Sequence, residues 1–133
     1  RTLSKPVMAL IEARLNELAA NTAAAFGGTA EVDFRTIFHP VVNDPTAAGI
    51  AGDVCAELVG ETNVHRNLPP GTGSEDFSFM LEQVPGCYLL VGNGEESTPV
   101  HNPGYDFNDA ALPYGASFCA GVVEQELGPP EPA

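Results

Sequence analysis

The chain has 133 residues, with 18 Asp plus Glu against 5 Lys plus Arg and a formal net charge of −13 at pH 7. That balance rules against nucleic acid, because displacing phosphate counterions needs Lys and Arg, and after Arg35 the one remaining such residue is Arg66. An anionic membrane surface is disfavoured for the same reason, the longest apolar runs are too short to span a bilayer, and a hydrophobic share of 44% suits one ordinary domain or two small pieces with a real core.

The first element is helical. Val7, Met8, Ile11, Leu15, Leu18 and Ala19 recur with a period near 3.6, separated by Glu12, Arg14, Asn16 and Glu17. The spacing predicts a helix with one buried stripe, capped by Ser4, with Pro6 in its first turn and Gly27-Gly28 as a left-handed stop. Ala30, Val32 and Phe34 then alternate with Glu31, Asp33 and Arg35, as in a half-buried strand continuing toward Phe38. Between His39-Pro40 and Asp44-Pro45 the pattern breaks, and a domain boundary is expected there. Asp44 caps a second predicted helix through Ile50, Val54 and Leu58 to Gly60. Asn63 to Leu68 reads as a short strand and Pro69 to Gly73 as a loop. Ser74-Glu75-Asp76 opens a third helix through Phe77, Met80 and Leu81, ended by Pro85-Gly86. Cys87 to Val91 is a continuous apolar run, expected to be a strand buried on both faces. Gly92 to Pro103 is loop, and a last helix is expected from about Pro113 to Leu127. Helices alternating with short buried strands make the second part an α/β piece, with too few strands to close a sheet of its own.

Cys55, Cys87 and Cys119 are odd in number and lack a CxxC spacing. Reduced thiols in a cytoplasmic protein are the simpler reading than a disulfide framework or a zinc knuckle. Cys55 and Cys119 fall on apolar helix faces and Cys87 opens the apolar run, so all three read as small core residues. No signal peptide is visible, yet the chain begins at Arg1 rather than Met, which reads as part of something longer.

Few residues stand out for chemistry. His101 follows the apolar run, at the edge where open α/β sheets place ligands. It is either a metal ligand or an exposed loop histidine. Glu75-Asp76 is either a carboxylate pair or helix N-terminal charge compensation. Asp106 and Asp109 read as turn and capping residues before the last helix. Gly71-Thr72-Gly73-Ser74 lacks the lysine of a P-loop, and His39 and His65 have no metal-ligand spacing and read as structural.

Several separate segments resemble one family. GTGSEDFSFML (71–81), PGCYLLVGNG (85–94), HNPGYDFNDAALPYGA (101–116) and RTLSKPVMALIEARL (1–15) are similar to the carboxyl-terminal part of the amidohydrolase branch of peptidase family M20, in the family's order. That branch includes hippurate hydrolases, N-acyl-amino-acid amidohydrolases, N-acetyl-diaminopimelate deacetylases and auxin-conjugate hydrolases. The resemblance implies part of a two-metal aminopeptidase-like α/β catalytic domain plus half of a ferredoxin-like α+β lid. Residues 1–40 would be the second half of the lid, or dimerisation, domain and 41–133 the carboxyl-terminal part of the catalytic domain. It implies hydrolysis of the amide of an N-acyl or N-aroyl amino acid, with two divalent ions in the intact enzyme, zinc first and manganese, nickel or cobalt as alternatives. His101 matches the family's last metal ligand. Arg1 matches a lid arginine that holds the substrate carboxylate, and Gly73, Ser74 and Glu75 match a segment lining the active site. The family's Cys-x-His motif, its Glu-Glu pair with the general base, and a further metal histidine lie upstream of the matched segments. This chain by itself is therefore expected to be inactive, with a homodimer formed through the lid and a missing amino-terminal part as its partners. The rival expectation is a non-catalytic dimerisation module.

Overall fold

The computed structural model describes residues 2–128. Four α-helices stand in chain order: α1 (Lys5–Ala25), α2 (Pro45–Val59), α3 (Phe77–Leu81) and α4 (Leu112–Leu127). Single 3₁₀ turns cover Glu61–Asn63 and Asp109–Ala111. Among the described residues no helix is long and apolar enough to cross a membrane. The chain forms two compact units. One comprises residues up to Val42 together with Pro69–Pro85, the other Asn43–Leu68 together with the residues from Gly86 onward.

In the first unit, α1 begins where the sequence caps it. Ser4 accepts from the Val7 N–H and a proline lies in the first turn. It ends in a Schellman motif. The Gly27 N–H bonds to the Ala24 carbonyl and the Gly28 N–H to the Ala23 carbonyl, both within 3.0 Å. Gly27 adopts φ 73°, which a residue with a Cβ reaches only at a cost. The expected stripe is present but not buried. No α1 residue is buried, and Val7, Ile11, Leu15 and Leu18 are 39–66% exposed. Hydrophobic spacing dictates which face is apolar, whereas burial needs something packed on that face, and of the stripe only Met8, which accepts from Thr36 Oγ1 at 3.2 Å, and Ala19 are half-covered.

The alternation over 31–35 survives in burial, with Val32 and Phe34 half-buried between exposed Glu31, Asp33 and Arg35. It does not produce a strand. Among the described residues no segment pairs in a ladder, including 63–68 and 87–91. A helix closes its hydrogen bonds internally, but a strand exists only through a neighbour's N–H and C=O groups, and alternation in one segment cannot supply them. Cys87, Tyr88 and Leu89 are half-buried, while Leu90 and Val91 are 75% and 50% exposed, so the run is not covered on both sides as expected.

The second unit is built on the pairing of α2 with α4. Asp44 caps α2 by accepting from the Ala47 N–H at 2.9 Å, and Pro45 takes its first position. Ala51 and Val54 of α2 are the buried hydrophobic residues of this core. α4 approaches so closely that a methyl group placed on Gly121 would lie 2.8 Å from Val54 Cγ1. Arg66 folds back across α2. Its Nε and Nη2 reach both carboxylate oxygens of Glu61 at 2.9 Å, and Nη2 reaches Asp53 at 3.0 Å. This pairing holds the Glu61 carboxyl below the usual range, and the guanidinium occupies the space a side chain at Gly52 would need. Cys119 is exposed and Cys55 half-buried, so the expectation that both are core residues fails for Cys119: an apolar helix face is a core face only where another element packs on it. All three cysteines are free thiols.

Candidate functional site

Gly73, Ser74 and Glu75 lie in the first unit and His101 in the second, while Arg1 lies outside the described residues. The predicted third helix shrinks to α3, with Asp76 at its N-cap making no side-chain capping bond. Glu75 precedes the helix and accepts through its carbonyl from the buried Ser78, from the hydroxyl at 2.8 Å and from the N–H at 3.3 Å. Ser78 thereby fixes the backbone that carries Ser74 and Glu75. Gly73 and Glu75 are exposed and Ser74 is half-buried.

The same unit contains an ionic junction that local sequence does not announce. Glu82, one residue after α3, receives Lys5 Nζ at 2.6 Å and lies 2.5 Å from His39 Nδ1. The Lys5 hydrogen bond, then that of His39, holds the Glu82 carboxyl below its ordinary range. His39 also stacks at a tilt on Phe79, with ring centroids 5.1 Å apart. Its assignment to structure agrees with these contacts.

His101 sits near the tip of a loop that is closed at its neck by two asparagines. Asn93 Nδ2 donates to the Asp106 carbonyl at 2.8 Å, and the Asn108 N–H donates to Asn93 Oδ1 at 2.8 Å. Asn108 Nδ2 donates to the Asn93 carbonyl at 3.2 Å. A compact segment whose ends meet in this way is an Ω-loop. Asn108 Oδ1 also accepts from the Ala110 N–H at 3.0 Å and so caps the 3₁₀ turn leading into α4. The capping role expected of Asp106 and Asp109 thus belongs to Asn108. Next to the histidine, Asn102 receives the Gly104 N–H on its side chain and the Tyr105 N–H on its carbonyl, both at 2.9 Å.

His101 itself adopts φ 66°, the one positive φ among described non-glycine residues. Its imidazole is exposed and has no hydrogen-bond partner among the described residues. That suits an imidazole available to a metal ion. A full ligand set is a different matter: no group of three or more His, Cys, Asp or Glu is placed to hold an ion among the described residues. His101 therefore fits as one ligand, and the described residues do not complete its set. The Asn93–Asn108 neck was not legible beforehand. Its partners lie in separate segments, GNG and DFND, and neither carries a mark of the other.

Residues 4–125 match the family model described as peptidase family M20/M25/M40. The chain belongs to this family. It is 30% identical over 135 residues to the IAA-amino acid hydrolase ILR1-like 4 of Arabidopsis thaliana, covering 96% of this chain and 30% of that protein. It is 30% identical over 127 residues to the hippurate hydrolase of Campylobacter jejuni, covering 96% and 33%. The N-acetyldiaminopimelate deacetylase of Streptococcus suis is 28% identical over 116 residues, covering 86% and 30%. The chain thus spans about a third of the length of these curated relatives. Membership implies the family's α/β peptidase fold, of which the described residues show the helices.

Proposed function

We propose that this chain is the carboxyl-terminal portion of a metal-dependent amidohydrolase that cleaves the amide of an N-acyl or N-aroyl amino acid. One observation carries the reading: the matches to the hippurate hydrolase and the IAA-amino acid hydrolase extend over 96% of this chain. The names of these relatives share an acyl group joined to an amino acid. Residues 1–40 are assigned to the lid and 41–133 to the catalytic domain. His101 is assigned to one of two divalent ions, zinc or alternatively manganese, nickel or cobalt. His101 would help hold an ion that would supply Lewis-acid polarisation of the amide and a more acidic water. Arg1 is assigned to the substrate carboxylate through a charge-assisted pair, and Gly73, Ser74 and Glu75 to the wall of the site. The general base is assigned to the upstream part, and the whole to the cytoplasm.

The exposed α1 stripe supports a homodimer through the lid, because a row of apolar side chains this open gains by being covered. Sedimentation of the 133-residue chain at micromolar concentration tests this; a stable monomer overturns it.

The experiment for activity compares the 133-residue chain with a parent protein that extends upstream of Arg1, using hippurate and N-acetyl-amino acids as substrates. The parent should release free amino acid, lose turnover to a chelator and regain it with zinc or manganese. The 133-residue chain should not turn over. A metal-replete parent inert toward every N-acyl amino acid overturns the proposal.

A further inference from the structure

The His101 loop has an unusual source of order. Every residue from Val100 to Ala110 is exposed, so side-chain packing does not hold the loop. Yet it keeps a histidine at φ 66°, a conformation that costs an L-residue roughly 1–2 kcal/mol. Such a backbone persists only where the surroundings over-determine it. The surroundings available are hydrogen bonds: the Asn102 turn beside the histidine and the three neck bonds between Asn93, Asp106 and Asn108. Without the neck, the exposed stretch from Val100 to Phe107 would be held only by its own turn and by the chain on either side. Its ordering entropy would then be charged to any ligand that binds His101.

We propose that Asn93 and Asn108 are positioning residues for His101, closing the neck of its loop so that the imidazole is presented to a metal ion in one preformed conformation. The proposal rests on the assignment of His101 as a metal ligand. Neither asparagine touches the ion. Each acts through the backbone, and the two have separable duties. Asn93 makes clip bonds alone, whereas Asn108 both donates to the clip and caps the turn before α4. Asn108→Asp retains the capping oxygen and deletes the donor to the Asn93 carbonyl. Asn93→Ala deletes both bonds made by the Asn93 side chain.

The test has two arms. In the 133-residue chain, amide exchange is followed at Gly104, Tyr105 and Asn108, and the His101 imidazole signal by NMR, where only three histidines contribute. Asn93→Ala should speed exchange at these amides about tenfold and move or broaden the His101 signal, with α2 amides and the His65 signal unchanged. Asn108→Asp should do the same to a smaller degree while the melting of α4 stays at wild type. In the parent protein, zinc affinity measured by chelator competition should fall about tenfold in Asn93→Ala, the scale typical of residues that orient a ligand. An unchanged His101 signal in Asn93→Ala overturns the positioning role. So does exchange that rises equally in α2, since that reports general loosening. Zinc affinity unchanged in Asn93→Ala but lost in His101→Ala also overturns it, while leaving His101 as a ligand. Zinc affinity unchanged in His101→Ala overturns the ligand assignment itself, and the NMR arm still decides whether the neck orders the loop.

Discussion

The side chain of Asn43 takes both backbone polar groups of Tyr88: Nδ2 donates to the Tyr88 carbonyl at 2.9 Å, and the Tyr88 N–H donates to Oδ1 at 2.8 Å. The amide thereby does for one residue what a neighbouring strand does along a ladder. It pins the apolar run from Cys87 to the residue that precedes the cap of α2. Asn43→Ala removes both bonds from a half-buried setting and should destabilise the second unit by about 2 kcal/mol. Asn43→Asp keeps the acceptor and should recover less than half of that. Denaturant melts of the three proteins check the order.

The contact between α2 and α4 predicts opposite signs for two glycine substitutions. Gly121→Ala places a methyl against Val54, a stiff β-branched residue only 3% exposed, with no room to turn away. The overpacking cost of roughly 1–3 kcal/mol outweighs the helix propensity gain of about 1 kcal/mol. Gly49→Ala meets nothing within 4 Å on the same α2 helix and should stabilise by roughly 0.5–1 kcal/mol. A stabilised Gly121→Ala would show that the helices are not held this close.

Acid should loosen the first unit through Glu82. Its folded-state carboxyl lies below the ordinary value of 4.5 because Lys5 and His39 bond to the charged form. A depressed carboxylate contributes stability above its unfolded value, and that contribution is lost as pH falls through the lower, folded value. Helix melting by circular dichroism should therefore decline more steeply below about pH 4.5 in the wild type than in Glu82→Gln. Added salt should narrow the difference, since Lys5 is more than half exposed.

Left-handed backbone at His101 separates folding from chemistry. His101→Gly removes the imidazole and relieves φ 66°, so stability should hold or rise by up to about 1 kcal/mol. In the parent protein the same change should cut turnover by about two orders of magnitude or more, with loss of bound metal. His65→Ala, in an exposed position without bonds among the described residues, should leave both unchanged. Melting curves, metal content and hippurate turnover of the two variants decide the matter.

What the sequence disclosed divides along physical lines. α1 and α2 were legible because their caps are local: Ser4 with Val7, Asp44 with Ala47, and Gly27-Gly28 at a stop. The strands were misread because alternation over Ala30 to Phe34 states which side chains share a face but not whether another backbone lies alongside. The buried stripe on α1 was misread for the same reason. Around the candidate site, the HNPGYDFND motif singled out His101 as a candidate, and the structure shows that residue exposed at φ 66°. The bonds that organise its loop, and the carboxylate shared by Lys5 and His39, join residues distant in sequence and leave no local trace.

The discontinuity of the first unit bears on synthesis. As the chain emerges from the ribosome, Lys5 and His39 appear well before Glu82, and the whole of Asn43–Leu68 must be made in between. The first unit therefore cannot finish folding before the second has begun to emerge from the exit tunnel. Lys5 and His39 wait for Glu82 until Pro69–Pro85 arrives, and the 43–68 excursion becomes a loop whose closure must be met by late contacts. Cutting the gene after Val42 would yield a polypeptide that never receives its carboxylate, and a ribosome paused within 43–68 would prolong the interval in which Lys5 and His39 lack their shared anion.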